Sequence, residues 1–259
     1  MKERAQAFAD LMGAGSDPHL DDASLAIAAC FRPDVDFNSA RRDLDALAEA
    51  APSADIAGVV NSVYAQGGFR GDQDDYYAPE NSLLDQVLQR RCGMPITLAV
   101  VLIEVGRRVG IDVTGVSMPG HFIVAAEGSY YDPFDNGRRL DRDDCVAIFQ
   151  QLQPSPDTPF DDRWLQPVGS RLIVLRMLAN LERSLRFRDD RAGALMALDL
   201  QARVPGVLGP RARRRIAETL AEGGQFDRAA AVYEALAEDL PNAGDDLRKR
   251  ASGLRARLN

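Results

Sequence analysis

Three side chains in this 259-residue sequence have the types and the order that thiol chemistry needs: Cys92, His121 and Asp132. A thiol acts as a nucleophile once its pKa is lowered, an imidazole takes its proton and a carboxylate holds that imidazole. Cysteine, histidine and aspartate in this chain order, with short gaps, are a recurrent catalytic arrangement. Cys92 lies just before a strongly predicted helix, whose N-terminal dipole and free amides would favour a thiolate. The chemistry would be acyl transfer: attack on an amide carbonyl, a thioester intermediate, then transfer to water or an amine. The amides of Gly93, Met94 and Ile96 could supply oxyanion donors. Each residue also has a structural reading. Cys92 would be a small buried hydrophobe at a helix end, His121 a satisfied polar residue at a strand entrance, and Asp132, before Pro133, the start of a turn.

The other chemistry-bearing residues form no motif. Two histidines exclude HExxH and any multi-histidine metal site. His19, beside Asp17 and Pro18, reads as a surface residue, and Cys30 and Cys145 as structural thiols in apolar helical settings. There is no GxxxxGK[ST] loop, Val116-Ser117-Met118 is no GxSxG elbow, and Asp72, Asp74 and Asp75 lack calcium-loop spacing. Arg211, Arg213, Arg214 and Arg215 read as a solvated helix face.

The elements that must position Cys92, His121 and Asp132 follow from periodicity and punctuation. Residues 24–31 read as a turn or two of helix ended by Arg32-Pro33. From Ser39 onward, Leu44, Leu47 and Ala48 share one helical face, and Pro52 closes the segment. Residues 67–80 are loop-like. Ser82 with Asp85 three residues on predicts a capped helix start, the helix reaching about Cys92 with Gly93 as a left-handed cap. Pro95 suits the first turn of a further helix to Gly110, apolar nearly all round and therefore buried in the middle of a domain.

After Gly110 the period changes, and residues 112–116, 121–126 and 129–134 read as a small antiparallel sheet packed on that helix. The hairpin register tests the His121–Asp132 pair. A two- or four-residue turn sets position 121 opposite 134 and makes Asp132 the diagonal, same-face neighbour of His121. A three-residue loop puts them on opposite faces. Glu127-Gly128 favours the two-residue turn. Residues 153–167 read as a proline-rich connector, followed by helices at 170–187, 192–204, 210–222 and 226–240. In the last, Phe226, Ala229, Ala230, Tyr233 and Leu236 share one face. These helices and their short Gly/Pro joints look like helical-repeat units, without fixing a period.

Composition bounds the function. Hydrophobic residues at 46% with 27% charged describe a folded protein. A net charge of −8 repels phosphate backbones, which argues against nucleic-acid and anionic-membrane binding. Three widely spaced cysteines form no disulfide framework and suit a reducing cytosol. The N-terminal segment has no secretory pattern, and the apolar run 95–103 is about half the ~20 residues a membrane span needs. The expectation is a cytoplasmic protein.

Residues from about 55 to 140 carry a resemblance. Asn81-Ser82 with Leu84, the Arg91-x-Gly93-x-Pro95-Ile96 turn, Pro119-Gly120-His121-Phe122 and Asp132-Pro133-Phe134 occur in order. Together they resemble the SirB-type bacterial proteins, transglutaminase-like with a C-terminal tetratricopeptide-repeat region. The resemblance implies an α+β, mostly helical fold with a transglutaminase/papain-like core. It gives His121 and Asp132 the histidine and aspartate roles. It puts the nucleophile in the first turn of the buried helix, four residues before a small residue. Counting back from Ala99 gives Pro95, with Cys92 three residues earlier.

The expected organisation is a transglutaminase-like domain over residues 1–165 and a helical, TPR-like domain over 166–259. The expected function is thiol-dependent acyl transfer, or amide or isopeptide hydrolysis, by Cys92, His121 and Asp132, with no metal or organic cofactor. Hydrolysis ranks above cross-linking, since nothing suggests a lysine-binding acceptor site. The alternative is a catalytically inactive relative that binds a protein or peptide through its TPR-like helices.

Overall fold

The computed structural model describes residues 2–13, 15–153 and 158–258. The chain divides into two compact units, Asp17–Met177, and Met1–Ser16 together with Leu178–Asn259. The expected limit at residue 165 thus falls at Met177 instead, and the first helix groups with the C-terminal residues. That helix is α1 (Lys2–Gly13). In the Asp17–Met177 unit follow α2 (Leu20–Phe31), α3 (Phe37–Glu49) and α4 (Ile56–Val60), which runs into a π-helical turn, Asn61–Gln66. Next come β1 (Arg70–Gly71), α5 (Leu84–Arg90), β2 (Cys92–Gly93) and α6 (Pro95–Val109). Strands β3 (Thr114–Met118), β4 (His121–Ala126), β5 (Ser129–Asp132) and β6 (Arg138–Leu140) precede α7 (Arg142–Leu152), β7 (Pro167–Val168) and α8 (Ser170–Phe187).

Helix α6 is the centre of this unit. Pro95 opens it, where a missing N–H costs nothing, and Gly110 closes it in the left-handed region at φ 91°. Ile96, Leu98, Val100, Val101 and Leu102 are all buried. They are covered by α2, α3, α4 and β4, as an all-round apolar helix requires. Glu104 is buried on the same helix. Its Oε1 accepts from the Leu20 N–H at 2.9 Å, and its Oε2 from Arg107 and Arg108 at 2.8 Å. Arg108 also meets the buried Asp21 at 2.6 Å, so each buried charge carries an opposite partner.

The main sheet is antiparallel, in the order β6-β5-β4-β3-β7. Ala126 opposes Ser129 across a two-residue turn, with Glu127 at φ 50° and Gly128 at φ 73°. Two positive φ values define the primed turn whose twist matches the flanking strands. The Glu127 carboxylate accepts from the Ile56 N–H at 3.2 Å. Strands β6 and β7 escape the sequence reading, because two or three residues carry no alternation. Pro167 sits at the sheet edge, where a missing donor is tolerated. The expected connector 153–167 therefore contains a 3-10 turn, Asp162–Leu165, and ends on the first residue of β7. Its residues 154–157 lie outside the described residues.

The segment around α5 corrects the expected caps. The N-cap is Leu83, without a side-chain hydrogen bond, because a 3-10 turn at Pro79–Ser82 leads into the helix. Ser82 is buried in that turn, and its hydroxyl donates to the Met94 sulfur at 3.3 Å. Asp85 accepts from Arg32 Nε at 2.9 Å. The left-handed residue at the far end is Arg91, at φ 55°, its guanidinium over the Phe69 ring. Gly93 belongs to β2, where a Cβ would come within 2.9 Å of Val87.

The second unit contains α1, the part of α8 from Leu178 on, α9 (Arg191–Ala202), α10 (Pro210–Glu222), α11 (Phe226–Asp239) and α12 (Gly244–Arg255). Each of α9 to α12 packs on the next, around Ala217, Leu220, Ala229, Ala230, Tyr233, Leu236 and Leu247. Phe226, expected on that apolar face, is half-buried. Arg213 and Arg214 are also half-buried rather than fully solvated, and Arg213 pairs with Asp239. Among the described residues, no helix is long and apolar enough to cross a membrane.

Candidate functional site

The turn at Glu127-Gly128 fixes the register of β4 against β5, and the register brings His121 to Asp132. Imidazole Nε2 lies 3.0 Å from Asp132 Oδ2. Asp132 Oδ1 accepts from the Phe134 N–H at 2.9 Å. Burial works against this carboxylate, but the hydrogen bond and charge of His121 and the amides of Phe134 and Asp135 prevail. Its pKa is held below the ordinary carboxylate value. Next to the pair, the buried Tyr64 hydroxyl donates to the Pro133 carbonyl at 2.8 Å. Burial, with the Asp132 charge behind it, pushes the Tyr64 hydroxyl well above its usual range.

His121 opens β4 directly after Pro119-Gly120, with Gly120 at φ 82°. Arg176 of α8 holds this corner. It donates to Ser117 Oγ at 2.6 Å, to the Met118 carbonyl at 2.7 Å and to the His121 carbonyl at 2.8 Å. It also covers the Phe122 ring. Arg176 belongs to no sequence motif. Its signal is a single arginine inside the apolar run Leu172-Ile173-Val174-Leu175-Arg176-Met177-Leu178.

Cys92 is placed differently. Strand β2 pairs in parallel with β1, so Cys92 lies beside Arg70, and the residue is 5% exposed. Burial comes first, and the neighbouring Asp72 carboxylate second, in raising the thiol pKa; Arg70 and Arg90 oppose them. The thiol also shares a hydrogen bond with Asp72, which raises it further. Asp72 in turn accepts from the Asp75 N–H at 3.0 Å and from Arg90 at 3.2 Å.

Buried Asn81 ties the surrounding loop together. It donates to the carbonyls of Asp75 and Tyr76 and accepts from Arg90, while its own carbonyl accepts from Thr97 Oγ1. Phe134 lies against β1, where a Cβ on Gly71 would meet its ring at 2.5 Å. The loop that follows Asp132 thus abuts the strand pair that carries Cys92. The imidazole is paired with Asp132, and the Asp72 carboxylate neighbours the thiol.

The remaining candidates fall as follows. His19 is exposed, while Cys30 and Cys145 are buried. Among the described residues, no group of three or more His, Cys, Asp or Glu side chains is arranged to hold a metal ion.

A buried apolar helix against an antiparallel sheet, with a histidine and an aspartate paired across adjacent strands, defines an α+β, mostly helical class of protein. A family model described as the transglutaminase-like superfamily matches residues 35–179, more than half of the chain. The chain belongs to that superfamily. It is 34% identical over 187 residues to a UPF0162 protein of Pseudomonas aeruginosa, covering 68% of each chain. It is 40% identical over 135 residues to a UPF0162 protein of Xylella fastidiosa, over 49% of this chain. That match spans about half of the Xylella relative, 47% of its length. It is also 29% identical over 132 residues to F-box only protein 21 of Mus musculus, over 46% of this chain and 21% of that protein.

Proposed function

We propose that this protein is a non-catalytic, SirB-like member of its superfamily that binds a protein or peptide through the TPR-like helices α9 to α12. Cys92 is then structural rather than a nucleophile. One observation carries the reading: the Cys92 thiol is buried beside Asp72, whose carboxylate helps to hold the proton on sulfur. A nucleophilic thiol needs the reverse, a cationic setting that draws the proton away. The first turn of α6, where the resemblance puts a nucleophile, holds Pro95, Ile96 and Thr97, all buried. The packing of each C-terminal helix on its successor supports a binding array. With a net charge of −8, a polypeptide suits this protein better than a polyanion.

Alkylation of the three cysteines by iodoacetamide, followed against pH with mass-spectrometric assignment, tests the proposal. Cys92 should label slowly, with an apparent pKa above the ~8.5 of a free thiol and no change in a His121→Ala variant. Fast labelling at neutral pH that His121→Ala slows would reinstate Cys92, His121 and Asp132 as an acyl-transfer site.

A further inference from the structure

Within the Asp17–Met177 unit, an open cleft of about 680 Å³ lies between α4, with its π-helical continuation, and the β5–β6 hairpin. One side is a single helical face, since Ala57, Val60, Tyr64 and Ala65 follow one another at about a turn apart. The other side is the sheet, where Tyr131 of β5 stands directly opposite Arg139 of β6. Residues paired in this way project from the same face, with Cβ atoms about 5 Å apart. A ring and a cation thus stand side by side on that wall.

Among the described residues that line the cleft, Arg139 alone is charged. Its Nε and Nη2 converge on the neutral Ser129 hydroxyl, at 3.1 and 2.7 Å, and no carboxylate among the described residues pairs with it. The carboxylates of the neighbouring segments are engaged elsewhere. Arg138, which alternation turns to the opposite face, takes Asp135 and Asp144. Asp141 caps α7, and Asp132 holds His121. At the start of α4, Asp55 accepts from the Gly58 N–H and the Ser53 hydroxyl, and Glu127 accepts from the Ile56 N–H. Asn61 and Asn136 complete the polar lining and are neutral. The Tyr64 hydroxyl is pushed well above its usual range, so it stays protonated, and it donates to Pro133. An exposed arginine without an acidic partner, beside methyl groups and a tyrosine ring, complements one negative charge on an apolar body. The volume is that of a small-molecule site.

We propose that this cleft binds a monocarboxylate with an aromatic or aliphatic body, its carboxylate on Arg139 and its body against Tyr131 and the α4 face. The site is separate from the C-terminal helices and stands whether or not they bind a peptide. The carboxylate is that of a free acid or of the C-terminal residue of a polypeptide.

Titration of the isotope-labelled full-length chain, followed by NMR, tests the proposal. 3-Phenylpropanoate stands for the free acid and N-acetylphenylalanine for the chain end. 3-Phenylpropanamide keeps the body without the charge, and acetate keeps the charge without the body. At least one of the two acids should give saturable shifts centred on residues 57–65, 131, 136 and 139, and the tighter of them names the source. The neutral amide and acetate should each bind about tenfold more weakly or not at all. Raising the salt from about 0.01 to 0.15 M should weaken the acid severalfold, as screening of an exposed ion pair requires. Arg139→Gln removes the charge, and Ala57→Leu narrows the cleft while keeping it. Both positions are exposed, so both variants should melt as the parent does and bind the acid about tenfold more weakly.

Absence of saturation with both acids would overturn the proposal. So would equal binding of the amide or of acetate, or undiminished binding by either folded variant. Cys92 labelling is read separately: a reactive Cys92 overturns only the non-catalytic reading, and a silent cleft overturns only the carboxylate site.

Discussion

Burial governs the two cysteines whose titration is perturbed. The Cys145 thiol is pushed up to about 11, by burial first and then by Asp144 and Asp141, and burial also raises Cys92. A thiol whose folded pKa exceeds the ~8.5 of the unfolded chain holds its proton more tightly when folded. Its contribution is intact below about pH 8.5 and is lost as pH rises through the folded value. Denaturant midpoints should therefore fall between about pH 8.5 and 11, and Cys145→Ala should flatten that fall. Cys92→Ala should cost about 1 kcal/mol at neutral pH, as loss of a small buried group does, read by urea denaturation. Asp132 has the opposite sign. Its folded pKa is depressed, so its stabilisation is present above about pH 4 and disappears as pH falls below that. Asp132→Asn should cost about 2 kcal/mol near pH 7, and that cost should shrink as pH falls through the depressed folded value. The His121–Asp132 pair was legible because one dipeptide turn sets the register. The Asp72 contact of Cys92 was not, because it depends on a two-residue parallel strand pair that leaves no periodic signal.

Elements with strong periodicity or punctuation match their sequence signals closely: α6 between Pro95 and Gly110, and α10 after Gly209-Pro210. Elements set by tertiary context do not. Ser82 has the residue type of a cap, yet the Met94 sulfur takes its hydroxyl and the helix starts two residues later. The β3–β4 corner depends on Arg176, more than fifty residues away in the chain. Removing that guanidinium strands two main-chain carbonyls at once. Arg176→Ala should lower stability by about 2–3 kcal/mol and speed amide exchange around residues 118–121. Arg176→Lys should restore only part of this, since an ammonium cannot match the planar fork. Gly71→Ala should disturb Phe134, whose ring occupies the space a Cβ needs. A shifted Phe134 amide resonance would report the loss of its bond to Asp132.

At the scale of the molecule, proline content misled the domain limit. Residues 153–167 look like a linker, but β7 begins at their last residue, Pro167, and the residues that follow complete the same unit. Ile173, Val174 and Met177 are all buried, and Ile173 reaches Gly115 in β3. A fragment of residues 17–177 should therefore melt cooperatively, whereas one ending at 165 should not. Circular dichroism and calorimetry of the two fragments would decide the point. The lesson is compositional: proline marks a break in regular structure, whereas a domain limit is set by which apolar surfaces find each other.

Helix α1 illustrates the same rule in time. It buries Phe8 and Met12 and packs on α9. About 180 residues separate the end of one from the start of the other, so at roughly 5–20 residues per second the ribosome delivers the partner some 10–35 s later. The whole Asp17–Met177 unit emerges in that interval. Helix α1 thus waits for the helix that covers it, and until then its apolar face stays open to solvent.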